Sequence, residues 1–156
     1  MLLGIDLGGT KIEGIVLKSR ENPEEVIRHR VNTEEEKGYS QVISNIKSLV
    51  DYIESNINHK FSKLGIGTPG TIDPESGLLK NSNSQCLNGM PIQIDLSKVL
   101  NKSILIQNDA NCFALAETLL GSVKDQYPNA KNVFGIIMGT GVGGGVIIDG
   151  KTVYGS

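Results

Sequence analysis

Tryptophan is missing from this 156-residue sequence and aromatic residues make up only 4% of it, so its core has to be built from aliphatic side chains. An excess of charge of one sign is lacking too. Fifteen Lys and Arg against 17 Asp and Glu leave a net charge of −2, which gives no field to recruit nucleic acid or an anionic membrane and points to a small-molecule partner. The two cysteines, Cys86 and Cys112, have neither the number nor the spacing of a zinc site or a disulfide scaffold, and read as buried free thiols in a reducing compartment. No apolar run reaches the ~18 to 20 residues of a membrane span. The N-terminus shows no basic stretch followed by an apolar one and a cleavage site, so the expected location is the cytoplasm. Neither histidine has a catalytic partner in the sequence: His29 lies among arginines in a strand, and His59 follows a helix end, where its charge suits the helix dipole.

Glycine, by contrast, is plentiful at 19 residues, and much of it is concentrated in two turns. The first lies in LLGIDLGGTKIEGIVL, residues 2–17. Leu2, Leu3 and Ile5 give a buried strand, Gly8 and Gly9 a turn that tolerates positive φ, and Ile12, Ile15 and Val16 a return strand. Without side chains at Gly8 and Gly9 an anion can approach the backbone closely. Asp6 ends the first strand where a carboxylate can hold a hydrated Mg²⁺, and Thr10 and Lys11 add a hydroxyl and a positive charge.

Asn22 and Pro23 mark a turn into a third strand over 26–31, giving an antiparallel meander. Glu34, Glu35 and Glu36 read as a solvated approach to a helix, with no chemistry assigned. From 39 to 58, Val42, Ile43, Ile46, Leu49, Val50, Ile53 and Ile57 repeat at helical spacing and predict an amphipathic helix covering one face of a sheet. A strand over 64–68 opens into Pro69-Gly70-Thr71 with no regular continuation, the kind of strand exit where α/β proteins put ligands. The polar stretch 80–84 follows, then a turn at Asn88-Gly89, a short helix over 92–100 and a strand over 104–106. This strand leads into NDANC, which places Asp109 at a strand end and a helix start. As an N-cap it would accept backbone N–H bonds, and it could also take a proton from a bound alcohol.

Residues 133–138 predict another strand, 139–145 a second glycine turn, 146–148 the return strand, and Asp149-Gly150 a tight hairpin. Gly139, Gly141 and Gly144 match the dinucleotide fingerprint in letters only, because a strand follows where that motif needs a helix.

Taken in order, GIDLGGTK (4–11), GIGTPG (65–70), KNSNSQCLNG (80–89), NDANCFALAE (108–117) and GTGVGGG (139–145) make the chain resemble the ROK family of sugar kinases over essentially its whole length. KNSNSQCLNG most resembles the fructokinase-like branch, with N-acetylglucosamine and N-acetylmannosamine kinases and glucokinase as alternatives, and a non-catalytic sugar-binding regulator as a different class. Against a DNA-binding repressor stands the phosphate turn, which begins at Gly4 with no basic recognition helix before it.

The resemblance implies an α/β, actin-like (ribonuclease H-like) lobe over 1–120, a mixed sheet with helices on both faces. It implies that 121–156 form the connection and first strands of a second lobe. It assigns ATP and Mg²⁺ to Asp6, Gly8, Gly9, Thr10 and Lys11 and to Gly139, Thr140 and Gly141, with Asp6 holding the metal through water. Gly70, Asn83, Asn108 and Asp109 would bind sugar hydroxyls, and Asp109 would be the general base. Family members continue into a C-terminal lobe that supplies a structural zinc site, the adenosine pocket and further sugar contacts. Without it the chain is expected to expose strand edges, to be sticky or a homodimer, and to be poorly active.

Overall fold

The computed structural model describes residues 1–138 and 141–154, which form two compact units, Met1–Gln107 and Asn108–Ser156. The first contains strands β1 (Leu2–Leu7), β2 (Lys11–Leu17) and β3 (Glu25–Asn32), helix α1 (Tyr39–Ile57), strands β4 (Lys63–Thr68), β5 (Thr71–Ile72) and β6 (Leu79–Lys80), helix α2 (Ile92–Leu100) and strand β7 (Ser103–Asn108). Five of these strands make one sheet in the order β3-β2-β1-β4-β7. The expected meander is present, since β1 and β2 pair antiparallel, as do β2 and β3, while β1 and β4 pair parallel.

Period-2 alternation sends Leu3, Ile5, Leu7, Ile12 and Val16 into the core. Leu2 is a correction to the sequence reading. It is 50% exposed, because its neighbour Leu3 takes the inward position and successive side chains face opposite ways. The opposite face also carries Leu105 and a cross-strand ion cluster in which Glu13 binds Arg28 and Arg30.

Helix α1 buries Val42, Ile43, Ile46, Leu49, Val50 and Ile53 against the sheet, each worth about 1.5–3 kcal/mol. It can lie close because β2 offers Gly14 beneath it: a Cβ there would come within 2.5 Å of Ile53 Cδ1. The helix stops at Asn58, which takes the left-handed conformation at φ 49°. One charged residue joins the apolar stripe. Glu54 is 3% exposed and accepts from Phe61 N (2.8 Å), Lys102 Nζ (2.7 Å) and Lys60 Nζ (2.9 Å). Burial acts to raise its pKa, but those donors outweigh it and hold the carboxyl below its ordinary value. His59 is exposed, edge-on to Phe61, and His29 stacks on Tyr52 with ring centroids 3.9 Å apart.

The second unit contains α3 (Asp109–Leu119), α4 (Ser122–Gln126), β8 (Asn132–Met138), β9 (Val142–Ile148) and β10 (Lys151–Thr152). The units part between Gln107 and Asn108, whereas the sequence reading divides the chain at 120; the difference is α3, which packs on the β8–β9 hairpin. The return strand is also longer than expected. Gly143, Gly144 and Gly145 lie inside β9, not in a turn, and pair with Ile137, Ile136 and Gly135. The cause is close approach: a Cβ at Gly145 would sit 2.4 Å from Ala110 O, one at Gly143 3.1 Å from Ala110 Cβ, and one at Gly135 2.8 Å from Ala114 Cβ. Gly145→Ala is therefore expected to destabilise the chain by about 3 kcal/mol, since backbone cannot yield as a side chain does. Gly144→Ala, whose close contact is with the exposed Phe134 ring, should cost under about 1 kcal/mol in the same urea titration followed by circular dichroism. Equal losses would show that the two sites do not differ in this way.

The outer face of this hairpin exposes Phe134, Ile136, Met138, Val142 and Ile148. One side of the hairpin is thus a continuous apolar face.

Candidate active site

Because β3 is antiparallel to β2 and β2 to β1, β3 runs in the same direction as β1, and β4 does so by direct pairing. The carboxyl ends of β1, β3 and β4 therefore leave the sheet on one edge. That edge collects the Gly8–Gly9 turn, the segment after Asn32 and the Pro69-Gly70 exit.

The turn itself is fastened from inside. Gly8 N donates to Lys11 O (3.0 Å), Thr33 N to Thr10 O (2.9 Å) and Thr33 Oγ1 to Gly8 O (2.7 Å), with Thr33 fully buried. Neither Gly8 nor Gly9 is at positive φ, which corrects the sequence reading. What the glycines supply is room. A Cβ on Gly8 would lie 3.0 Å from Lys11 O, and one on Gly9 3.4 Å from Ser84 Oγ and 3.7 Å from Glu35 Oε2. Asp6 and Lys11 are exposed at the two sides of the turn and Thr10 at its crest. Asp6 sits opposite Glu13 in the β1–β2 register. Burial acts to raise the Glu13 pKa, but Arg30 and Arg28 hold its carboxyl below the ordinary value, so this neighbour's charge is already paired.

Gly70 has φ 84°, and a Cβ there would lie 2.4 Å from Lys80 O and 2.9 Å from Ser82 N. Glycine at this position lets the 69–71 backbone lie directly on residues 80–82. The exit does continue regularly, contrary to expectation: β5 pairs antiparallel with β6, closing the loop back on itself. Asp73 anchors its tip, accepting from Lys80 Nζ (2.8 Å), Ser76 N (2.9 Å) and Glu75 N (3.0 Å), with Lys80 the main cause of a pKa well below the usual carboxylate range. Past β6, Ser82 and Ser84 are buried while Asn83 between them is exposed, so alternation presents the Asn83 side chain outward. Asn88 clasps this stretch, taking Ser82 N and donating to Ser82 O, both at 2.9 Å. Buried Leu79 and Leu87 seat it on the core.

In the second unit, the N-cap of α3 is Asn108, not Asp109. Asn108 Oδ1 accepts from Ala110 N (3.1 Å) and Asn111 N (3.3 Å), and extended backbone at ψ 140° fits it for that place. Asp109 is the first helical residue, half-buried, with Oδ1 accepting from Ala110 N at 2.7 Å. Its carboxylate is thereby oriented at the positive end of a helix. Gly141 is exposed; Gly139 and Thr140, the other members of the expected second phosphate turn, lie outside the described residues.

The structure thus brings Asp6, Gly8, Gly9, Thr10, Lys11, Gly70 and Asn83 together within the first unit, and places Asn108 and Asp109 at a helix start in the second. Among the described residues no three His, Cys, Asp or Glu side chains cluster as a metal site. Both cysteines are half-buried, and no described helix is long and apolar enough to cross a membrane.

Three positioning residues escape a sequence reading. Thr33 follows a strand like any other threonine, and Asn88 reads as a turn residue. Glu35 belongs to a run assigned to solvent. A hint existed only for Asn88, whose Asn-Gly step fixes a tight turn, here with Gly89 at φ 76°.

The ROK family model matches residues 2–156, and the chain belongs to the ROK family. It is 39% identical over 155 residues to an N-acetyl-D-glucosamine kinase of Aliivibrio fischeri, covering 99% of this chain and 48% of the relative. Among solved structures it is similar to a ROK hexokinase from Thermus thermophilus (TM-score 0.81, 28% identity, 99% of this chain and 49% of that one). It is also similar to a ROK family glucokinase from Streptomyces griseus in complex with glucose and AMPPNP (TM-score 0.80, 25% identity, 99% and 46%). The fold is therefore the mixed α/β actin-like one, and the chain spans about half the length of the curated relatives it matches. Fructokinase, the branch suggested by KNSNSQCLNG, is not among the names these relatives carry.

Proposed function

We propose that this chain is the N-terminal half of an ATP-dependent sugar kinase that phosphorylates the primary hydroxyl of a hexose, with N-acetyl-D-glucosamine as the first substrate to try. The observation that carries the reading is the Gly8–Gly9 turn, pinned by Thr33 on the same sheet edge as the Gly70 and Asn83 loops. The choice of sugar rests on the N-acetyl-D-glucosamine kinases among its relatives, at 37–39% identity.

In this reading Gly8, Gly9, Thr10 and Lys11 bind the phosphates of ATP, together with Gly139, Thr140 and Gly141. Gly70, Asn83 and Asn108 orient the sugar. Asp109 accepts the proton of the attacking hydroxyl as its oxygen bonds to the γ-phosphorus and ADP leaves. Asp6 fits a hydrated cation as an exposed carboxylate at the mouth of the turn. A Mg²⁺ bound there would neutralise charge on the phosphates. Phosphoryl transfer asks chiefly for positioning and charge stabilisation, which suits a site made of turns and one oriented carboxylate.

The test is an ADP-release assay with Mg·ATP on this chain and on any longer form from the same source, against N-acetylglucosamine, N-acetylmannosamine, glucose and fructose. We expect phosphorylation of N-acetylglucosamine at the highest kcat/KM, with the longer form faster by at least tenfold. Sugar binding without ADP release in either form would transfer the reading to a sugar-binding regulator. A preference for fructose would restore the other branch.

A further inference from the structure

Glu35 opens a short turn, Glu35–Lys37, between β3 and α1, two residues after the Thr33 that fastens the Gly8–Gly9 turn. Its neighbour Glu34 serves the helix start, accepting from Lys37, Gln41 and Asn45. Glu35 does something else. Its Oε2 is sealed from solvent and has no hydrogen-bond partner among the described residues. Both carboxylate oxygens border the space beside Gly9: a Cβ built there would be 3.7 Å from Oε2, 3.8 Å from Oε1 and 3.4 Å from Ser84 Oγ. Two polar side chains thus converge on a niche that the glycine keeps empty, next to Asn83.

A buried carboxylate oxygen without a donor is costly, and such groups persist where something else supplies the donor. The niche's own charge selects what that is. A carboxylate repels a phosphate oxygen at this range, so the niche suits a neutral donor, and the stretch that borders it at Ser84 is the 82–87 loop. We propose that Glu35 is a specificity-determining residue of the acceptor site, receiving a hydroxyl or amide N–H of the sugar as the 82–87 stretch adjusts around it. The proposal rests on the sugar-kinase reading given above.

The test compares wild type with Glu35→Gln, which keeps the shape and an acceptor oxygen but removes the charge, and with Glu35→Ala. Affinity for N-acetylglucosamine and for AMPPNP is measured separately by calorimetry, with the melting temperature recorded for each protein. We expect sugar affinity to fall roughly 5- to 50-fold in Glu35→Gln and further in Glu35→Ala, as loss of a charge-assisted hydrogen bond implies. AMPPNP affinity should stay within about twofold and the melting temperature should be unchanged or higher, because an unpartnered buried charge has gone. A merely structural Glu35 would instead lower the melting temperature of both variants and leave sugar affinity alone, which overturns the proposal. So does a loss confined to AMPPNP. Wild type that binds none of the four hexoses overturns the sugar-kinase reading itself, and the proposal with it. Wild type that binds sugar while Glu35→Gln binds equally well overturns the proposal alone.

Discussion

Replacing Asp109 by alanine is expected to lower kcat by about 10²- to 10⁴-fold, the range that loss of a positioned general base produces. The KM for ATP should stay nearly unchanged, because the Gly8–Lys11 turn proposed to hold the phosphates belongs to other elements. The variant removes one bond at the start of α3, from Ala110 N to Asp109 Oδ1, while Asn108 still caps the helix. Stability should therefore fall by no more than about 1 kcal/mol. Asp109→Asn separates the two roles, since it keeps an acceptor for Ala110 N but cannot take a proton; it should be as slow as Asp109→Ala and as stable as wild type. Both are measured as steady-state kinetics on the active form together with urea titrations. Near-normal turnover in Asp109→Asn would remove this residue from the role of base.

A large effect on stability is also expected from Lys102→Ala. Lys102 donates to Glu54 Oε1 and to Phe61 O, both at 2.7 Å, and its side chain is only 9% exposed. Removing it leaves the Glu54 carboxylate buried beside the exposed Lys60 and the Phe61 N–H, and breaking a buried pair from one side costs about 3–5 kcal/mol. The lower end is expected because those two donors remain. The pH dependence has a definite sign. The folded pKa of Glu54 lies below its ordinary value of 4.5, so its contribution is present above that value and is lost as pH falls through the folded pKa. The difference between wild type and Lys102→Ala, read from urea midpoints, should thus be full at pH 7 and shrink on acidification below about pH 4.5. A gap that stays constant down to pH 3 would assign the loss to packing of the lysine stem. Joint replacement, Glu54→Gln with Lys102→Met, should recover much of the loss, as apolar or neutral substitutes for a buried pair often do.

Local rules made several elements legible. The apolar spacing of α1 anticipated the helix and its six buried aliphatic positions. Alternation and the Gly8–Gly9 turn anticipated the β1–β2 hairpin and, with Asn22-Pro23, the third strand. The tight turn at Asp149-Gly150 is likewise as read, with φ 47° and 72° at its two residues. Other features depend on neighbours distant in sequence. Glu54 looks like a polar residue on a helix flank until Lys102, 48 positions on, is brought against it. The Gly143–Gly145 run reads as a loop until Ala110 and Ala114 press against the strand that contains it. Asp109 was the natural N-cap by type, yet the helix begins at Asp109 itself, directly after the strand, and gives that place to Asn108.

By itself, then, the sequence determined the family, the order of the longer elements and the residue types at the Gly8–Gly9 turn, because motif order, periodicity and turn chemistry are properties of short stretches of chain. Tertiary structure alone decided which glycines serve φ and which serve close approach, since Gly70 is at φ 84° while Gly145 lies under a helix backbone. It also decided that Thr33 fastens the turn and that Glu35 faces Gly9 instead of water. Those contacts join residues 23 or more positions apart, and only the packing of β3 beside β2 brings them within reach.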